Sequence, residues 1–268
     1  MKKCSAAAFA AVFAACLAAA ANSMPPPPAA KRVSGGGDFQ ENPIPALNQV
    51  KGGVYTFGAP VEKGGRRVLF VGNSITLHAP KPSVGWTNRC GMAASDIAHD
   101  YVHVYADMFG RENANASFMI AQVAGSIERS FFKEDWSAKS KFAAARDFRP
   151  DVIILFFGAN VPKEYDANPA AYPRRFGEAI GQMLDFVDPD RRARVLVSEG
   201  FYIRPVLDAE KRVLAERRNA VWVKMDDIRR RADTHGRFNH PGDLGMRLIA
   251  ERFWNATKSD NKGGSEGD

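Results

Sequence analysis

The sequence predicts an α/β fold of three layers, α/β/α, with helices on both faces of a parallel sheet of about five strands. Two observations predict it. Short apolar runs, often β-branched, recur at residues 68–71, 116–120, 152–157, 193–197 and 220–223. Longer amphipathic segments separate or follow the later ones, at residues 170–186, 205–218 and 242–257. Strands buried on both faces read as continuous apolar runs, and strands alternating with helices imply crossover units. The layout is flavodoxin-like. Sheets of this kind build their sites beyond the C-terminal ends of the strands, so the polar residues found there carry the functional question.

Taken in order, the chain opens on a targeting segment, residues 1–23. Lys2 and Lys3 precede an apolar run at 4–21, and Ala21-Asn22-Ser23 offers small residues for cleavage. This is the pattern of a secretory signal peptide and predicts a secreted or periplasmic protein with no stable membrane span after cleavage. An uncleaved anchor is one alternative, because the run is nearly long enough to span a bilayer. Lipoprotein processing at Cys16 is another, since Phe13-Ala14-Ala15-Cys16 is a weak lipobox. Residues 24–64 read as a tether and N-terminal arm, with prolines at 25–28 and glycines at 35–37. The domain proper is expected at 65–257. The polar tail 258–268, "KSDNKGGSEGD", is expected to be disordered.

The first strand, 68–71, stops at Gly72-Asn73-Ser74-Ile75-Thr76. Gly72 permits a tight turn, and Ser74 stands where backbone N–H groups open the next turn. Taken alone, this is equally a helix cap. The second strand leads into "QVAGSIERS", where Gly125 brings backbone close to a ligand or is only a joint. The strand at 152–157 ends in Gly158-Ala159-Asn160. The Asn160 amide is a donor suited to a developing oxyanion, or else it stabilises its own turn. In the helix at 170–186, Phe176, Ile180, Met183 and Leu184 share a face. The strand at 193–197 leads to Glu199. Near the C-terminus, His240-Pro241 precedes the last helix, whose apolar side carries Leu244, Leu248, Ile249 and Phe253.

Composition narrows the function. Of three cysteines, Cys4 and Cys16 lie in the targeting segment. Cys90 is left alone, so no internal disulfide is available and stability must come from a packed core. The net charge is +7, and losing Lys2 and Lys3 leaves +5. Much of the excess lies between Arg191 and Arg231. It reads as a solvated basic face or a weak attraction for acidic polysaccharide. No nucleic acid partner is expected, because no aromatic-interleaved basic motif appears. The five histidines are scattered without ligand spacing, so no metal or other cofactor is expected.

In order, Gly72-Asn73-Ser74-Ile75, Gly125, Gly158-Ala159-Asn160 and His240-Pro241 resemble the four sequence blocks of the SGNH, or GDSL-like, hydrolase superfamily. The stretch "GNSITLHAPKPSVGWTNRCGMAASDIAHDYVH" also resembles a bacterial esterase-like subgroup. The blocks span residues 66–257. The resemblance implies a serine ester hydrolase working through an acyl-enzyme. Ser74 would be the nucleophile and His240 the base. The oxyanion hole would be made by the backbone N–H groups of Ser74 and Gly125 and the side chain of Asn160. His78 and Trp86, beyond Ser74, and Glu199 are possible pocket residues.

One position departs from the pattern. The superfamily usually places an Asp three residues before the His, where this chain has Arg237. Asp233 and Asp243 are the nearest replacement acids in sequence, although Asp243 also suits the first turn of the last helix. A Ser–His dyad, with a backbone carbonyl orienting His240, is slightly favoured over either. The expected substrate is an acylated small molecule or polysaccharide, and the leading expectation is an exported carbohydrate acetylesterase. The absence of a long apolar lid argues against a lipase. The competing expectation is a catalytically degenerate glycan-binding protein on the same fold, for which Arg237 is the main feature.

Overall fold

The computed structural model describes residues 42–43 and 54–259. The signal segment, the Cys16 alternative, most of the tether and all but the first two residues of the tail lie outside the described residues. The described strands are β1 (Asn42–Pro43), β2 (Val54–Gly58), β3 (Arg67–Gly72), β4 (Ser117–Gln122), β5 (Val152–Phe156), β6 (Arg194–Ser198) and β7 (Val221–Val223). The helices are α1 (Tyr101–Glu112), α2 (Ala138–Lys141), α3 (Ala143–Phe148), α4 (Glu164–Ala167), α5 (Phe176–Val187), α6 (Pro205–Arg218), α7 (Asp226–Arg229) and α8 (Asp243–Lys258).

The sheet order is β1-β2-β4-β3-β5-β6-β7. Strands β3 to β7 are all parallel and coincide with the five apolar runs. Side chains alternate between the faces, as strand geometry requires. Val68 and Phe70 join the core packed by α1 and α8, while Leu69 and Val71 join the core packed by α5 and α6. The sheet is thus the middle of three layers. Each large apolar side chain fully buried in these cores contributes about 1.5–3 kcal/mol.

Two features depart from the sequence reading. The sheet carries an antiparallel edge: β2 pairs with β4, and β1 with β2. The sequence reading places residues 54–58 in the N-terminal arm. Their run Val-Tyr-Thr-Phe-Gly is too short to announce itself and gains its structure by pairing with β4. The other departure is α1, a helix in a stretch to which the sequence reading assigns no element. The carboxylate of Asp100 starts it by accepting from the His103 N–H at 2.8 Å, and also accepts from the Gly91 N–H at 3.0 Å.

The chain leaves β3 for β4 on one side and β5 for β6 on the other. This reversal places the switch point between the adjacent strands β3 and β5, where sheets of this class open a crevice.

Candidate active site

Three strand ends lie side by side. Gly72 at the end of β3 is in register with Gln122 of β4 and with Phe156 of β5. The segments holding Ser74, Gly125 and Gly158-Ala159-Asn160 therefore leave the sheet together. A Cβ on Gly72 would lie 1.6 Å from Thr76 Oγ1, so the turn closes only on glycine. Buried Asn73 completes it. Its carbonyl accepts from the Thr76 and Leu77 N–H groups at 3.0 Å each, and its Oδ1 accepts from the Ile75 N–H at 3.2 Å. Ser74 is presented half-buried, with Oγ 2.8 Å from His240 Nε2.

His240 arrives from the loop before α8. Phe238 and Asn239 both adopt left-handed backbone, with φ of 60° and 56°. Non-glycine residues rarely do so, and such strain persists where the surroundings over-determine it. Its effect is to place the Phe238 carbonyl 2.8 Å from His240 Nδ1. A carbonyl only accepts, so Nδ1 carries the proton and Nε2 is left to accept from the Ser74 hydroxyl. The Tyr202 hydroxyl lies 3.2 Å from the same Nδ1. Burial holds the imidazole below its ordinary 6.5, against the opposing pull of the Phe238 carbonyl, and nearby His78 adds to the lowering.

Neither sequence-nominated acid touches this ring. Asp233 is exposed and pairs with Arg231 at 2.6 Å. Asp243 opens α8 and accepts from the Ser95 N–H at 2.7 Å. Arg237, in the position where an acid was sought, donates to the Gly85 carbonyl at 3.3 Å and lies over the Phe238 ring at 4.8 Å. Ser74 and His240 are thus in contact, and the other ring nitrogen of His240 faces a main-chain carbonyl.

Gly125 falls in a π-helical turn, Ala124–Glu128, that follows β4. Such turns recur at functional sites, and the first N–H groups of a helix lack intrahelical partners. Gly158 has φ +134°, a conformation that side chains disfavour. The Asn160 amide is held at both ends, its Oδ1 accepting from Arg129 at 2.6 Å and its Nδ2 donating to Glu128 at 2.7 Å. An amide nitrogen carries two hydrogens, so one is left uncommitted by that contact. A shallow crevice lined in part by Asn73, Gly158, Ala159 and Tyr202 adjoins these residues.

Glu128 is the residue that sequence reasoning missed. It is fully buried and accepts from the Asn73 side chain, the backbone N–H groups of Gly158 and Asn160, and the Asn160 side chain. A signal did exist: a single acid between Ile127 and Phe131, both buried, in a turn following a strand end.

The nominated pocket residues are placed differently from one another. His78 is half-buried and close enough to His240 to act on it electrostatically. Trp86 is only 4% exposed, donates to the His78 carbonyl at 3.3 Å and meets the Phe238 ring edge-on, so it braces this loop. Glu199 accepts from the Met225 N–H at 2.6 Å and lies 3.6 Å from Arg229. It belongs to a largely buried ion network with Asp208 and Lys211. Cys90 is a buried core residue. Among the described residues, no group of three or more His, Cys, Asp or Glu gathers in a way that could hold a metal ion. Among the same residues, no helix is long and apolar enough to cross a membrane.

No protein-family model matches the chain, and no curated protein matches it by sequence. Similar solved structures include a carbohydrate esterase family 2 enzyme with its carbohydrate-binding domain from Corynascus thermopiles (Myceliophthora fergusii). It is 15% identical, with a TM-score of 0.49 over 74% of this chain and 66% of that one. A two-domain esterase active on acetylated mannans is 16% identical, with a TM-score of 0.48 over 76% of this chain and 52% of that one. A catalytic mutant of an acetylxylan esterase from Geobacillus stearothermophilus is 13% identical, with a TM-score of 0.49 over 78% and 99%. This chain thus spans less than two thirds of the first two proteins.

Proposed function

We propose that the chain is an exported serine ester hydrolase, a carbohydrate acetylesterase acting through an acyl-enzyme on Ser74. One observation carries this reading: Ser74 Oγ lies 2.8 Å from a His240 nitrogen left free to accept, because the other ring nitrogen is held by a carbonyl. His240 takes the Ser74 proton as Oγ attacks the ester carbon, and the carbonyl electrons move onto oxygen. The N–H groups of Ser74 and Gly125 and the Asn160 amide receive that oxyanion. Collapse expels the alcohol, which leaves with the proton from His240. Water, deprotonated by His240, then attacks the acyl carbon, and the second collapse returns the proton to Ser74 and releases the acid. The Phe238 carbonyl dipole keeps the imidazole in one tautomer and supports its cationic form.

The N-terminal signal pattern supports export, and a site at open strand ends suits a large acylated glycan better than a buried lipid chain. The test is hydrolysis of a small acetyl ester by the mature protein and by Ser74→Ala. Wild-type turnover no faster than that of the variant would remove the esterase reading for this substrate class. Glycan binding by a protein without turnover would then favour the binding-protein alternative.

A further inference from the structure

We infer that Glu128 is a positioning residue for this site: one buried carboxylate ties the nucleophile turn to the third block, so that the oxyanion donors converge. The inference rests on the hydrolase reading. Glu128 comes from the turn after β4, and its partners come from the ends of β3 and β5. Its Oε1 accepts from Asn73 Nδ2 at 3.0 Å, the Gly158 N–H at 2.5 Å and the Asn160 N–H at 3.3 Å. Its Oε2 accepts from Asn160 Nδ2 at 2.7 Å. All three strand ends therefore meet on one side chain.

The chemistry of the partners dictates the residue type. Every contacting atom is an N–H donor, and an ionised carboxylate is the protein side chain that only accepts, at both oxygens. Among the described residues, Glu128 pairs with no Lys or Arg within ion-pair distance, so N–H dipoles hold its charge. A carboxylate beside a developing oxyanion is electrostatically adverse. Its presence makes sense where the alternative is a set of buried donors without acceptors. Lys211, buried behind Gly158, and Tyr202 both feel its negative charge.

Glutamine gives a discriminating substitution. Its oxygen can serve the three donors on the Oε1 side, but its NH₂ then abuts the NH₂ of Asn160. Glu128→Gln should therefore displace the Asn160 side chain and mimic its loss. The experiment compares wild type, Glu128→Gln, Asn160→Ala and the double variant in acetyl-ester turnover, with melting temperature as the folding control. The kcat of Glu128→Gln should fall about 10²-fold with KM within about twofold, since small misplacements of donors cost rate rather than affinity. The double variant should be no slower than the slower single, because coupled residues are non-additive.

Wild-type kcat in Glu128→Gln, losses that multiply in the double variant, or a loss that follows the unfolded fraction would each overturn the inference. Should Glu128→Gln not fold, Glu128→Asp keeps the charge but shortens the reach. It should show the same fall in kcat, and full turnover would overturn the inference. If wild type hydrolyses no ester, the hydrolase reading fails separately. Amide proton shifts then decide the tie: the Gly158 and Asn160 N–H signals should move upfield in Glu128→Gln, and unmoved signals would refute it.

Discussion

Ser74 and His240 meet across 2.8 Å, yet the two sides of that contact are held by opposite means. The Ser74 side is set by burial and side-chain bonding. Gly72, Asn73 and Thr76 are buried, the Thr76 hydroxyl meets Tyr101 at 2.8 Å, and Glu128 ties the turn to the neighbouring strand ends. The His240 side is set by main-chain geometry on a more exposed loop. There, two left-handed residues aim a carbonyl at His240, and the Gly236 N–H closes the loop by donating to the His240 carbonyl at 2.7 Å. A serine fixed by packing is sensitive to volume and polarity. A histidine fixed by backbone shape tolerates changes to nearby side chains, acids included, but not to φ.

The largest effect should come from removing either member of the pair. Ser74→Ala and His240→Ala should each lower kcat by about 10⁴-fold or more at an unchanged melting temperature, and combining them should add little. Acetyl-ester kinetics beside thermal denaturation check this.

The contrast sharpens at Phe238. Proline there fixes φ near −65°, which the observed 60° excludes. Phe238→Pro should swing the carbonyl off Nδ1 and cut kcat on the order of 10²-fold while the sheet stays folded. Turnover and circular dichroism separate the two effects.

The pH profile tests the burial of the base. Protonated His240 cannot accept from Ser74, and burial disfavours that protonated form. The acid limb of kcat/KM should therefore lie below pH 6.5, the ordinary value for His, and activity should be lost as pH falls through it. A limb above 6.5 would mean that an acid supports the ring after all.

The smallest effects should follow from Asp233→Asn and Asp243→Asn. Asp233 pairs with Arg231 in solvent, and Asn can still accept from Ser95 at position 243. Each should leave kcat within about twofold of wild type. A large loss from either would break the contrast by bringing a side-chain acid into the His240 side.

Much of the frame was legible in the sequence because it is local. The parallel strands announced themselves as apolar runs, α6 was read at its observed limits, and the four blocks fell at strand and helix boundaries. Arg237, in place of the usual acid, left the orienting part to a main-chain carbonyl, and the Phe238 carbonyl lies 2.8 Å from His240 Nδ1. What escaped depends on partners distant in sequence. The strand β2 needs β4 to exist as a strand. The environment of Glu128 arises only where three strand ends meet, and nothing in "GSIER" records that meeting. The left-handed turn at Phe238 was equally hidden, because neither Phe nor Asn at that point signals positive φ as glycine would.

The central claim is that His240, oriented by a carbonyl, activates Ser74. Its most direct test is covalent labelling of the mature protein by a serine-directed phosphonate, located by peptide mass spectrometry, in wild type, Ser74→Ala and His240→Ala. The account predicts one adduct on Ser74 in wild type, none in Ser74→Ala and far slower labelling in His240→Ala. Labelling at another residue, or at Ser74 at the same rate without His240, would contradict it.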